Sequence, residues 1–204
     1  MIPAPVGTRD ERKAETRRRI LESARALLEE RGAEATTMRA IAARADVSLG
    51  TVHNYVGSRA ELVVVLFVDD LEGVIASRRV TLPDGPLLDR LLHYFGGFFA
   101  LYAARPALSR TYVTVAVFAP DTAFALYMEV TMRFVAELAD LIRRSGELRD
   151  DVPPALAARL CFDTYIGVVV PLLRQEAPEP APALQALRQM LGEVLDLMRP
   201  RGSA

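Results

Sequence analysis

Residues 36–58 read TTMRAIAARADVSLGTVHNYVGS, and the order of caps, apolar positions and breaks in this stretch decides the fold. Thr36 and Thr37 are each good N-caps, because a hydroxyl there accepts from the free N–H groups of a new helix. Met38, Ile41, Ala42 and Ala45 then recur as one helical stripe, with Arg39 and Arg44 off it. Asp46, Val47 and Ser48 break that periodicity, and Ser48 is placed to cap a third helix through Tyr55. Upstream, Ile20, Ala24, Leu27 and Leu28 belong to an earlier helix that Gly32 stops. A helix, a three-residue turn and a second short helix is the spacing of a helix-turn-helix, whose last helix enters the major groove of DNA.

In the third helix Val52 and Val56 fall on one face with Val47 and are predicted to pack inward. Gly50, Thr51, His53 and Asn54 then point away, where a reading helix carries its polar groups. The Asn54 amide can make paired bonds to adenine, and Gly50 lets the backbone approach closely.

The residues Arg19-Ile20-Leu21, Gly32, Thr36-Thr37-Met38, Ile41-Ala42, Ala45, Val47-Ser48, Gly50-Thr51, Tyr55 and Ser58-Arg59 with Leu62 resemble the N-terminal domain of TetR-type transcriptional regulators. The resemblance covers roughly the first third of the chain; the remainder is similar in length and helical layout only. It implies an all-α fold of about nine helices, with a three-helix DNA-binding domain over 1–62 and a ligand-binding and dimerisation domain over 63–204. It also implies a DNA surface made of Thr37, Arg39, Ser48, Leu49, Gly50, Thr51, His53, Asn54, Tyr55 and Arg59. Arg39 is similar in position to a base-contacting residue, while Thr37, Ser48, Tyr55 and Arg59 correspond to phosphate contacts. Three positions depart from the pattern: Asp46 stands in place of the usual turn Gly, His53 in place of Tyr, and Gly57 where Lys is common. Asp tolerates a left-handed backbone better than most residues, so the turn survives. His53 is read as a neutral polar contact, with titration near neutral pH as the alternative.

Composition agrees with a helical protein: 51% of residues are hydrophobic, and no long Val/Ile/Thr alternation suggests sheet. The net charge is −1, which argues against a uniformly basic nucleic-acid binder, but the charge is uneven. Before Val63 there are eleven Lys/Arg against nine Asp/Glu. The excess gathers in Arg9, Arg12, Lys13, Arg17, Arg18 and Arg19, read as a basic arm near phosphates. A single cysteine, Cys161, excludes an intramolecular disulfide and fits a reducing cytoplasm. It lies in an apolar run and reads as a buried small hydrophobe. The apolar segments 62–68 and 166–173 are too short to cross a bilayer, so no membrane association and a cytoplasmic location are expected.

Residues 1–9 read as a Pro-containing tail. A fourth helix starts at Ser58 with Glu61 as a capping box and runs to about Arg79. Further helices are expected over 86–104, 107–119, from an Asp121 cap to 145, from an Asp151 cap to about 174, and over 183–198. Pro171 is expected to kink the eighth helix or end it early. The fifth to eighth helices carry most of the aromatic residues. By the resemblance, His93, Tyr94, Phe98, Tyr102, Tyr112, Phe118, Phe124, Tyr127, Met128, Phe162 and Tyr165 are candidates to line a pocket for a hydrophobic small-molecule effector; plain core packing is the alternative. The last two helices carry Leu156, Leu160, Tyr165, Val169 and Leu172 with Leu184, Leu187, Leu191, Val194 and Leu195, apolar faces broader than one chain needs. Gly167 adds room for close helix approach. The resemblance assigns these helices to a homodimer on a pseudo-palindromic double-stranded DNA operator.

An enzyme is the main alternative from another class. Only His53 and His93 are present, no phosphate loop or nucleophile elbow is seen, and Asp89 with His93 makes too few ligands for a metal. The expectation is therefore no catalysis, no cofactor and no metal. The reading is a ligand-responsive regulator that represses and is released by its effector; an activator, or a protein-binding adaptor with a vestigial helix-turn-helix, is the alternative.

Overall fold

The structure is a computed structural model that describes residues 8–118 and 121–200, the side chains of 33, 34 and 121 excepted. Among them are nine helices and no strand: α1 (Arg9–Ala35), α2 (Met38–Arg44), α3 (Leu49–Tyr55), α4 (Arg59–Val80), α5 (Leu87–Ala104), α6 (Pro106–Val117), α7 (Asp121–Ser145), α8 (Pro154–Arg174) and α9 (Pro180–Met198). The expected tail over 1–9 lies outside the described residues up to 7, and Arg9 is already helical. α6 ends at Val117 with Phe118 following as its C-cap, short of the expected 119, while 119, the Pro120 break and the side chain of the expected Asp121 cap lie outside the described residues.

Local chemistry explains most boundaries. Thr8 and Glu11 form a reciprocal cap at the start of α1. Gly32 takes a φ of 75°, which breaks the helical path inside the span of α1, and its carbonyl accepts from the Thr36 hydroxyl at 2.8 Å. Of the two threonines Thr37 is the cap, its hydroxyl accepting from Ala40 N–H at 3.1 Å, while Thr36 is buried. At the start of α4 the Ser58 hydroxyl accepts from Glu61 N–H. The Glu61 carboxylate reaches one residue further back than a capping box requires and accepts from Gly57 N–H at 3.1 Å.

Two expectations fail for physical reasons, and a third is narrowed. Asp151 does not cap α8: it pairs with Arg149, and the chain enters through Pro153 and Pro154, whose fixed φ suits a helix start. Of the two outcomes expected at Pro171 an early end is excluded, since α8 continues through Arg174. The last helix begins at Pro180, before Ala183, because proline is tolerated in a first turn.

The helices make one connected core. α1, α2 and α3 pack together, and α1 also packs on α4 and α6. α4 then runs against α5, α6 and α7, and Leu62, Val64, Leu66 and Phe67 are all nearly inaccessible. Gly97 permits the α4–α5 approach, since a Cβ there would meet Val74 and Arg78 within 3 Å. α5 and α8 pack on α9, and α8 also on α7. α8 is the one described helix long and apolar enough to cross a bilayer by length and composition; here one side of it is packed into the helical core.

Candidate DNA-reading surface and interior cavity

α3 is too short to be stable alone, so its neighbours hold it. Val52 and Val56 are buried beneath it, with Val47 and Leu49 half-buried against the same core. Ser48 caps it, accepting from Thr51 N–H at 3.0 Å, and its hydroxyl also meets that of Thr51 at 2.8 Å. The α2–α3 turn depends on Asp46, the one non-glycine residue among those described with positive φ, at 51°. Arg19 stabilises that turn from α1, donating to the carbonyls of Ala45 and Asp46. Short polar side chains are tolerated in the left-handed region, which is why Asp replaces Gly here.

This packing leaves Gly50, His53 and Asn54 exposed and Thr51 and Tyr55 half-exposed on the outer side of α3. Thr37, Arg39, Ser48 and Arg59 are exposed around it, at the starts of α2, α3 and α4. The His53 ring lies 3.3 Å from the Gly57 carbonyl. A side chain at 57 would meet the Glu61 carboxylate, so Gly57 belongs to the α4 cap. Not all of the basic arm is available outward: Arg18 is held between Glu15 and Glu22, and Arg19 is turned into the α2–α3 turn. Arg9, Lys13 and Arg17 are exposed on α1.

The aromatic residues divide into three groups. Phe98, Tyr102, Tyr127, Phe162 and Tyr165 line a cavity of about 30 Å³ between α4, α5, α7 and α8, together with Leu71, Ile75, Val130, Thr131, Phe134 and Ile166. The Tyr102 and Tyr165 hydroxyls meet at 2.9 Å, and burial pushes both phenols well above their usual range. Tyr94 and Tyr112 are buried elsewhere: Tyr94 donates to Glu137 at 2.6 Å, and Tyr112 stacks on Phe67 at 5.2 Å. His93 bridges the α4 end, near the Thr81 hydroxyl and the Arg78 carbonyl. Phe118 is 82% exposed and Phe124 is exposed, while Met128 is half-buried off the cavity lining. The aliphatic lining residues carry no sequence signal that separates them from core.

Beside the cavity, and sharing Ile75, Val130 and Phe134 with it, is a polar recess of about 260 Å³ between α4 and α7. Glu72, Arg79, Arg133 and Glu137 line it, paired across the two helices. Burial opposes the charge on Glu137, but the bonds from Arg79 and Tyr94 outweigh it and hold the carboxyl below its usual range. Asp89 and His93 do not converge: Asp89 pairs with Arg188 on α9. Among the described residues no three metal-ligating side chains gather. Burial pushes the Cys161 thiol up to about 12.

On α8 and α9 the exposed apolar residues are Leu156, Leu160, Ile166, Val170, Met190 and Leu197. Of the ten residues that make up the broad apolar faces of the last two helices, Tyr165, Val169, Leu172, Leu187, Leu191 and Leu195 are buried within the chain, and Leu184 and Val194 are half-buried. Leu156 and Leu160 remain outward, and the space beside Gly167 is open.

Residues 20–66 match the family described as bacterial regulatory proteins, tetR family. The chain is 31% identical over 181 residues to the HTH-type transcriptional repressor KstR of Rhodococcus jostii, covering 87% of this chain and 82% of that protein. It is 26% identical over 183 residues to the HTH-type transcriptional regulator UidR of Escherichia coli, covering 88% and 93%. Among solved structures, Thermus thermophilus FadR, a TetR family transcriptional repressor in complex with lauroyl-CoA, has a TM-score of 0.74 at 23% identity, covering 92% of this chain and 97% of that one. At that identity the likeness is one of fold.

Proposed function

The chain belongs to the TetR family of bacterial regulatory proteins, and on that premise we propose that it is a cytoplasmic repressor that binds a pseudo-palindromic operator as a homodimer and is released by a hydrophobic small molecule. One observation carries the reading: α3 buries Val52 and Val56 and turns Gly50, Thr51, His53 and Asn54 outward from a capped, locked turn. In this reading Asn54 and Arg39 read base edges. Thr37, Ser48, Leu49, Tyr55 and Arg59 set the register on the backbone, with the helix N-termini adding partial positive charge.

The outward stripe at Leu156, Leu160, Gly167 and Val170 follows helical spacing and continues on α9 at Met190 and Leu197, which supports a two-fold interface. Residues 1–62 act as the reading head and 63–204 as the effector and dimerisation half. α4 begins beside the DNA surface and lines both cavity and recess, so it is the element through which an effector shifts the spacing of two heads. That shift is limited by the effector's differential affinity for the two states.

The test is selection of genomic fragments by the purified protein, then footprinting at two salt concentrations. A protected pseudo-palindrome with salt-sensitive affinity is expected. Folded dimeric protein that enriches no sequence over bulk DNA would overturn the reading and favour the adaptor.

A further inference from the structure

The small aromatic cavity and the charged recess adjoin, with Ile75, Val130 and Phe134 lining both. We propose that they form one site that takes an amphipathic molecule with an acceptor oxygen on its apolar body, seated at Tyr102 and Tyr165, and an anionic group bound by Arg133 at the α4–α7 recess. The inference rests on the reading of the cavity as an effector site.

The inner end is set by proton counting. Two phenols carry two protons, and the 2.9 Å bond between Tyr102 and Tyr165 uses one of them. Neither hydroxyl makes another bond, so one buried donor is left at a cavity whose lining is apolar apart from these two phenols and the hydroxyls of Tyr127 and Thr131, which face each other. Burial keeps both phenols protonated, and therefore donors, across the ordinary pH range. A carbonyl or ether oxygen relieves the desolvated donor, while a plain hydrocarbon leaves it unpaired. The cavity of about 30 Å³ has room for little more than a water, so a ligand body enters by displacing the half-buried rings of Tyr127 and Phe162.

The outer end is set by charge. Glu137 is engaged on both oxygens: Arg79 donates through Nε at 2.9 Å and again through Nη2, and Tyr94 adds a third bond. Arg133 by contrast is exposed and makes one bond, to the exposed Glu72, and its remaining N–H groups have no protein partner. Two guanidiniums and two carboxylates line the recess, and Arg144, outside its lining, adds positive charge near Glu137. An incoming anion takes the free donors of Arg133 in paired bonds, whereas an amine meets Glu137 already held by three donors and the added positive charge of Arg144.

A matched set tests both ends by calorimetric titration of the full chain: 5-oxo-5-phenylpentanoate, its primary amide, and 5-phenylpentanoate, which lacks the ketone. The keto acid is expected to bind on the order of tenfold tighter than either analogue. In Arg133→Gln it falls to the affinity of the amide, whose own binding is unchanged. In Tyr102→Phe with Tyr165→Phe it falls to that of 5-phenylpentanoate, whose binding is likewise unchanged. Thermal melts identify a variant that has lost its fold, and the Arg133→Gln comparison stands independently of the tyrosine pair. Equal affinities for the three compounds, or variants that weaken all three in parallel, overturn the two-ended assignment but leave a hydrophobic effector site. No binding by any of the three at millimolar concentration overturns both.

Discussion

Replacing Arg25 by Met tests the polar junction that ties the reading head to the rest of the chain. Arg25 lies on α1 and donates to Asp70 at 2.7 Å and Asp69 at 3.0 Å, both on α4, and the buried Tyr112 hydroxyl of α6 sits beside the pair without a well-aligned bond of its own. Removing one partner of a fully buried ion pair costs about 3–5 kcal/mol, because the other charge is stranded. Here Asp70 is 14% exposed, the exposed Asp69 can turn to water, and Tyr112 is poised to donate, so the expected loss is about 2–3 kcal/mol at neutral pH. Met retains the apolar stem, which keeps lost packing small. The loss depends on pH with a definite sign. Burial already raises the Asp70 carboxyl despite the attraction of Arg25, and removing the guanidinium raises it further. A carboxyl raised on folding favours the folded state while protonated and loses that contribution as pH rises through its folded value. The deficit of Arg25→Met is therefore largest at neutral pH and shrinks as pH falls towards about 4. Urea unfolding of both proteins, followed by circular dichroism at the two pH values, measures it. Adding Asp70→Asn to Arg25→Met should recover part of the loss at neutral pH. A deficit independent of pH, or a double variant less stable than the single one, would refute the argument that a stranded carboxylate sets the cost.

Three further outcomes are expected. Asn54→Ala should cost about 1–3 kcal/mol of discrimination between operator and scrambled DNA in competition binding, with non-specific affinity little changed; an unaltered ratio removes Asn54 from base reading. Arg59→Ala should weaken binding evenly across sequences and lower the salt slope by about 1, and an unchanged slope takes it off the phosphates. Leu160→Asp combined with Val170→Asp should give a folded monomer in sedimentation, since both side chains are exposed within one chain; a persistent dimer would put the interface on another face.

The reading head was legible because its determinants are local. A cap, an apolar stripe and a turn residue act within a few positions of one another, so Ser48 and Ser58 could be assigned as caps from sequence, Thr37 narrowed to one of two threonines, and the left-handed Asp46 expected from the resemblance. The second half depends on which of several apolar faces meets which neighbour, and periodicity does not decide that. α8 shows why: it is apolar nearly all round, with Cys161, Tyr165, Val168 and Val169 turned into its own chain and Leu156, Leu160 and Val170 turned out. A helix with one stripe assigns its own core face, but a helix with two offers two registers that the sequence ranks equally. The choice is made by partners far along the chain. Phe95 stacks on Tyr165 at 4.7 Å and thereby draws the tyrosine face of α8 inward. The same logic hid the charged recess: Arg79 with Glu137 and Glu72 with Arg133 are ion pairs between residues about sixty positions apart, and each side chain alone reads as an ordinary solvated charge. Two such pairs facing each other across α4 and α7, at the edge of an aromatic cavity, are informative only once the helices are packed. The family could therefore be read from the first third of the chain, whereas the aromatic cavity and the charged recess beside it emerge only from the packing of α4, α5, α7 and α8.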